Sequence, residues 1–513
     1  MAGTLDKAAT LAGLGPYEMV IGLEVHVQLK TASKIFCGCS TRFGDPPNTH
    51  SCPVCLGLPG ALPVLNRKAV ELAVRAALAL HCEVQGYSRF ARKNYFYPDL
   101  PKGYQISQYE LPLARRGWLE IEVVPGAGAP GLGGDREEVR KRIGITRLHL
   151  EEDAGKSLHE GFPDSDAKSY IDFNRCGVPL VEIVSEPDIR TPEEAYAYLT
   201  KLKQVLEYAE VSDCNMEEGS LRCDANLSLR LKGSEGLGVK QEIKNLNSFR
   251  YVKQALWEKA KDLKAKLDAG EPIALSTSTY DPSARRLVEM RVKEEAHDYR
   301  YFPEPDLLPL MVGESWREEI LRAMPELPDA KKARFMEMYG LNDYDAEVLT
   351  GSRALADYFE AVVKGDAPAP MPSGRAKAAA NWIQTELLGL LREAGKEISD
   401  SPISAAALAE LLTFVEKGTL SGKMAKEVFA RMFSSGERAP TIIEREGMTQ
   451  ISDAAAIERI CREVIAAHPA QYAEYKSGKS VLLAFFIGQV MRATRGQANP
   501  QLVNETLKKL LQA

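Results

Sequence analysis

From Val20 to Lys30 the chain reads V-I-G-L-E-V-H-V-Q-L-K, alternating with period two. Ile21, Leu23, Val25, Val27 and Leu29 share one face, and Gly22, Glu24, His26 and Gln28 share the other. Such a segment is a strand that buries one side and presents polar groups on the opposite side. A carboxylate and an imidazole then stand in a row, roughly 7 Å apart along the strand. Two readings fit this strand alone: a solvated face of an edge strand, or a pair able to share a cation.

Two further segments repeat the pattern. In residues 143 to 153, Arg147, His149 and Glu151 oppose Thr146, Leu148, Leu150 and Glu152. In residues 222 to 231, Asp224, Asn226, Ser228 and Arg230 oppose Ala225, Leu227, Leu229 and Leu231. Three such strands predict an antiparallel sheet covered on one side only. Its open face would gather Glu24, His26, Glu151 and Asp224. Several acids with one histidine suit hard divalent cations such as Mg²⁺, which keep positions open for phosphate oxygens. The pattern points to phosphoryl chemistry without a P-loop. S-G-K-S at 477–480 does not supply one, because position 473 is Ala and the segment lies between helices.

The 513 residues exceed one core and predict several domains. Residues 1–16 read as an arm and 17–295 as an α+β domain. Its clearest helices are Ala69 to Leu80 and Pro192 to Ala209, the second capped by Thr191. Residues 296–364 read as a helical domain, with helices from Ser315, taken as N-cap, to Met324 and from Asp329 to Tyr339. The Pro-rich stretch 365–374 reads as a linker or hinge, and 365–513 as an all-helical tail with turns at Gly418, Gly436 and Gly496. Its last helix starts at Asn499 and carries Val503, Leu507, Leu510 and Leu511 on one stripe. The G-A-G-A-P-G-L-G-G run at 126–134 reads as a connection between strands. The N-terminus has no export-signal pattern, no apolar run is long enough to span a bilayer, and a reducing, cytoplasmic setting is expected.

Cys37, Cys39, Cys52 and Cys55 form C-x-C-x12-C-x2-C. Two closely spaced thiol pairs suit a closed, structural, tetrahedral Zn²⁺ site; four reduced thiols or two local disulfides are the alternatives, and His50 could replace one ligand. Cys82, Cys176, Cys214, Cys223 and Cys461 read as packing residues. Net charge is −6, yet the helical tail is slightly basic. Lys476, Lys479, Arg492 and Arg495 there form either a phosphate-contacting patch or an ordinary solvated face. In residues 92–108, Lys93, Tyr95 and their aromatic neighbours fit either a nucleotide cradle or a structural loop.

These motifs closely resemble one family. V-I-G-L-E-V-H-V-Q-L, R-K-N-Y-F-Y-P-D-L-P-K-G-Y-Q-I-S-Q, R-L-H-L-E-E-D-A-G-K-S, V-E-I-V-S-E-P-D-I-R, M-E-E-G-S-L-R-C-D-A-N, K-N-L-N-S-F and D-Y-R-Y-F-P-E-P-D-L all resemble the B subunit of the aspartyl/glutamyl-tRNA amidotransferase. Y-K-S-G-K and F-I-G-Q-V-M-R-A-T-R-G-Q-A-N-P resemble that subunit's YqeY-like tail. The resemblance runs from about residue 17 to the end. It implies a cradle related in fold to glutamine synthetase and guanidino kinases, then the helical linker and tail. It implies ATP, Mg²⁺, a heterotrimer with an amidase (A) subunit and a small C subunit, and misacylated tRNA(Gln) or tRNA(Asn) as substrate. The side-chain carboxylate of Glu or Asp would be phosphorylated, then amidated with ammonia from the amidase. By resemblance Glu24, His26, Glu152, Asp224 and Glu242 lie on the metal side, and Lys93, Tyr95 and Arg222 contact nucleotide or phosphate. Strand parity favours Glu151 over Glu152; a bulge or strand end at this pair would reverse that, and Glu152 is preferred with both retained. The archaeal E-subunit relative carries a large insertion before the tail, for which the link at 296–365 has no room.

Overall fold

The structure is a computed structural model. It describes residues 12–123, 139–159, 161–282, 284–292, 299–365, 373–448, 453–494 and 497–512. The run at 126–134, most of the arm and of the Pro-rich stretch, and Gly496 lie outside them. Two compact units emerge, 1–327 and 328–513.

The first unit is α+β, as expected. Its core is a nine-stranded sheet with Tyr17–Gln28 at the centre. In order across the sheet the strands are Arg286–Val292, Ser276–Asp281, Gln241–Lys244, Leu221–Leu231, Tyr17–Gln28, Pro179–Ser185, Val139–Glu152, Ala114–Val123 and Glu83–Val84. Pairing is antiparallel except between Gln241–Lys244 and Ser276–Asp281, which run parallel. The central strand buries its predicted face: Ile21, Leu23, Val25 and Val27 are at most 1% exposed. Helices Arg67–Ala79, Pro192–Tyr208 and Phe249–Asp268 pack on that apolar face. The second begins where Thr191 accepts a hydrogen bond from the Glu194 N–H, with Pro192 in the first turn. All five unpaired cysteines of the sequence pattern are buried.

Two expectations change here. The polar face is not uncovered along its length. A small sheet of Phe302–Pro303, Ala91–Asn94 and Tyr104–Ser107 lies over the end formed by Pro179–Ser185 and Val139–Glu152. There Glu151, Glu182 and His149 are buried at 2%, 7% and 3% exposure. At the other end the face stays open, with nothing within 4 Å of where a side chain on Gly22 would begin. The compact units part at 327/328. The Glu314–Arg322 helix packs against Arg67–Ala79 and belongs to the first unit. Gly313 precedes it without a side-chain cap, so Ser315 is not the cap.

The second unit is all-helical in its described residues. The predicted Asp329–Tyr339 helix is Pro328–Tyr339. Gly436 ends Gly422–Ser435 in the left-handed conformation that favours glycine. The Asn499 side chain accepts from the N–H groups of Gln501 and Leu502, capping Pro500–Gln512, and Val503, Leu507 and Leu511 are fully buried.

Candidate active site

Strand register builds the site. His26 lies opposite Arg222 on one side and Glu182 on the other, and Glu182 lies opposite His149. One row across four strands therefore reads Arg222, His26, Glu182, His149. In the next row Glu24 faces Asp224, and beyond it Gly22, Asn226 and Glu242 align. Buried neighbours such as Val25, Val27, Val181, Ile183, Leu148 and Leu150 hold each strand so that these polar groups all face the same way.

At the roofed end, His26 Nε2 lies 3.3 Å from Glu182 Oε2 and 3.8 Å from Glu151 Oε1. One donor atom from each of the three lies within 4.8 Å of the others, a spacing that could hold a metal ion. Burial disfavours an imidazolium at His26, but the hydrogen bond and charge of Glu182 outweigh it and raise the pKa. Burial likewise opposes ionised Glu151 and Glu182, yet nearby imidazoles and Lys93 hold both below the usual carboxylate range. Glu182 escaped the sequence reading. Its signal was present: a lone carboxylate between Val181 and Ile183 in a run that otherwise reads as fully buried.

Glu152 does not join this cluster. The register of Val139–Glu152 continues unbroken through Leu180↔Glu151 and Pro179↔Glu152, and the irregularity lies instead at Val184/Ser185. No bulge reverses the pair, so parity holds and Glu151 is the residue beside His26. Glu152 turns the other way. It is ion-paired to Lys102 and accepts the Ile106 N–H at 2.8 Å.

Glu24, Asp224 and Glu242 stand apart at the open end. Lys244 Nζ bridges Asp224 Oδ2 at 2.7 Å and Glu242 Oε1 at 3.1 Å. Thr277 donates to Glu242 at 2.8 Å. The expected single acidic set is thus two groups on one face. Lys93 and Tyr95 come from the roof. The Lys93 ammonium lies 5.1 Å from the Tyr299 ring centroid and 5.9 Å from that of Tyr95. Burial disfavours its charge, but Glu151 and other neighbours raise its pKa. Arg222 is engaged by Asp153 at 2.9 Å, and Gln28 donates to the same carboxylate at 2.8 Å.

The four sulfurs of Cys37, Cys39, Cys52 and Cys55 also lie within 4.8 Å of one another, unbridged by disulfides. They could hold a structural metal. His50 is not needed there, since its Nε2 pairs with Asp45 at 2.8 Å. In the second unit Lys476, Lys479 and Arg492 are exposed. Lys479 pairs with Glu474 at 3.0 Å and Lys476 donates to the Gln512 carbonyl at 3.2 Å. Arg495 lies outside the described residues.

The description "GatB/GatE catalytic domain" matches residues 19–318, and "GatB domain" matches 357–511. The chain belongs to this family. The B subunit of the aspartyl/glutamyl-tRNA(Asn/Gln) amidotransferase from Carboxydothermus hydrogenoformans is 55% identical over 96% of the chain and 98% of that relative. The proteins of the same name from Geobacter sulfurreducens and Caldanaerobacter subterraneus are 52% and 53% identical, each over 96% of the chain and 99% of the relative. The family match spans both units, so the sheet face and the helical unit are both parts of a B subunit of this kind.

Proposed function

We propose that this chain is the ATP- and Mg²⁺-dependent subunit of a tRNA-dependent amidotransferase. It phosphorylates the side-chain carboxylate of Glu on tRNA(Gln), of Asp on tRNA(Asn), or of both, and completes amidation with ammonia from an amidase (A) subunit. A small C subunit completes the heterotrimer. The first unit is then the cradle, and the tail is the YqeY-like tRNA-binding part, with Lys476, Lys479, Arg492 and Arg495 as phosphate contacts. Among the described residues no helix is long and apolar enough to cross a membrane, and the cytoplasm is the proposed setting.

One observation carries the reading: the inner oxygens of two buried carboxylates converge with an imidazole nitrogen on the same face as Glu24, Asp224 and Glu242. An oxygen-rich donor set with one imidazole fits a divalent cation. Mg²⁺ held there offsets charge on a transferring phosphoryl group. His26, Glu151 and Glu182 would hold one cation, and Glu24, Asp224 and Glu242 would face the nucleotide side. Lys93, beside Tyr95, adds positive charge over the same cluster. A carboxylate is a poor acyl donor, which is why phosphorylation comes first. The carboxylate oxygen bonds to the γ-phosphorus as the bond to ADP breaks. Ammonia then bonds to the carbonyl carbon, phosphate departs, and one proton is lost. Under the roof Glu151, Glu182 and His149 are buried, which limits the access of water to them. Four cysteine thiolates would hold Zn²⁺ as a closed structural site.

In the assembled enzyme, His26→Ala and Glu24→Ala should each abolish ATP-dependent amidation while tRNA affinity, measured by filter binding, stays within a few-fold. Persisting amidation would make the chain a zinc-bearing tRNA scaffold instead.

A further inference from the structure

His149 has no place in the site as read from the sequence, although it is nearly as buried as any group in it. It is 3% exposed, and its neighbours Leu148 and Leu150 are fully buried on the opposite face. Those two leucines fix the direction in which the imidazole points. Its Nε2 lies 3.6 Å from Glu151 Oε2 and 3.7 Å from Glu182 Oε2. Its Nδ1 is buried and has no hydrogen-bond partner among the described residues. The polar contacts of the ring are thus directed at the two carboxylates.

The oxygens are divided in an ordered way. Glu151 Oε2 is held by the Ser107 hydroxyl at 3.1 Å and faces His149. That leaves Oε1 toward His26. Glu182 Oε1 is held by Arg147 at 3.3 Å, which leaves Oε2 toward His26 at 3.3 Å. Of the two carboxylates, Ser107 holds Glu151 and Arg147 holds Glu182. His149 reaches both, at Glu151 Oε2 and at Glu182 Oε2, the second being the oxygen that also faces His26.

We propose that His149 is a positioning residue: it holds Glu151 and Glu182 as a pair, with one oxygen of each turned toward His26 to receive a divalent cation. This rests on the cation reading of the cluster. Two buried carboxylates repel one another in a weakly screened site. A single donor between Glu151 Oε2 and Glu182 Oε2 offsets that repulsion and fixes the rotamers of both. Groups that orient metal ligands typically matter by about 10- to 100-fold in metal affinity. The contacts of 3.6 and 3.7 Å are long for hydrogen bonds and would shorten as a cation draws the carboxylates together.

The test uses the assembled enzyme and Mn²⁺ as probe, with free Mn²⁺ read by electron paramagnetic resonance. His149→Phe should weaken Mn²⁺ binding about 10- to 100-fold, and His149→Gln, whose amide places a donor near Nε2, should recover most of that loss. In amidation assays the Phe variant should raise the Mg²⁺ concentration for half-maximal rate, with kcat at saturating Mg²⁺ far less affected. A role in packing alone predicts a lower Tm for both variants and wild-type Mn²⁺ affinity, and that result overturns the proposal. If His149→Phe does not fold, His149→Leu decides in its place. It should bind Mn²⁺ about 10- to 100-fold more weakly than wild type, and unchanged affinity refutes the role. Absence of Mn²⁺ binding by the wild-type enzyme would instead defeat the cation reading itself.

Discussion

Two carboxylate clusters, one in each unit, answer the same electrostatic problem differently. In the helical unit Glu360 accepts from Arg334 at 2.8 Å and from the Tyr339 hydroxyl at 3.1 Å, and Lys331 lies 3.3 Å away. Lys331 also pairs with Asp357, which Arg353 approaches to 3.5 Å. Permanent cations therefore surround those acids. Burial works against ionisation of Glu360, but Arg334 and Lys331 prevail and lower its pKa from the ordinary 4.5 to about 2. In the sheet unit the groups between Glu151 and Glu182 are imidazoles, with Lys93 and Arg147 only at the margins. An imidazole can give up its proton and become a ligand, whereas a guanidinium or a salt-bridged ammonium cannot. The first cluster is a closed structural knot. The second leaves imidazole nitrogens facing its carboxylate oxygens.

The sharpest way to break this contrast is to remove one carboxylate from each. Glu182→Gln should cut amidation by the assembled enzyme on the order of 10²- to 10³-fold with a small change in Tm, since several kcal/mol of transition-state stabilisation is at stake. Glu360→Gln should leave amidation unchanged and lower Tm. If the two variants behave alike, the distinction between the clusters is wrong.

The cysteine group tests whether a third cluster belongs with the structural class. Cys55→Ser should release bound zinc and lower Tm of the assembled enzyme by several degrees, because a metal-held loop loses its cross-link. Amidation at low temperature should persist. Loss of activity without loss of stability would move the cysteines into the chemistry.

The smallest expected effect carries a pH signature. Glu360→Gln should cost about 2 kcal/mol near neutral pH, the scale of a hydrogen bond to charged groups. The folded pKa is depressed, so the contribution of Glu360 is fully present above 4.5 and is lost as pH falls toward about 2. The stability gap between wild type and variant, from denaturant unfolding, should therefore close across that window. A gap that stays constant down to pH 2 would mean the carboxylate is not what the cations hold.

Much of this was legible in the chain because alternation is a local signal. Period two placed His26 and Glu24 on one face, and the same parity put Glu151 rather than Glu152 on that face, as the register has it. The Thr191 and Asn499 caps were readable because a helix start needs only a few adjacent residues. Glu182 was hidden for a physical reason. Its strand is buried on both faces, so its neighbours give no alternation from which to infer which way it points.

Residue order by itself determined which side chains each strand and helix presents, and that four cysteines come in two close pairs, since those properties arise within a few residues. The tertiary structure alone decided that Pro179–Ser185 lies between the His26 and His149 strands and that a small sheet roofs one end of the polar face. It also decided that the acids separate into two groups. Strand order and coverage depend on contacts between residues tens to hundreds of positions apart, and no local pattern encodes a partner at such distances.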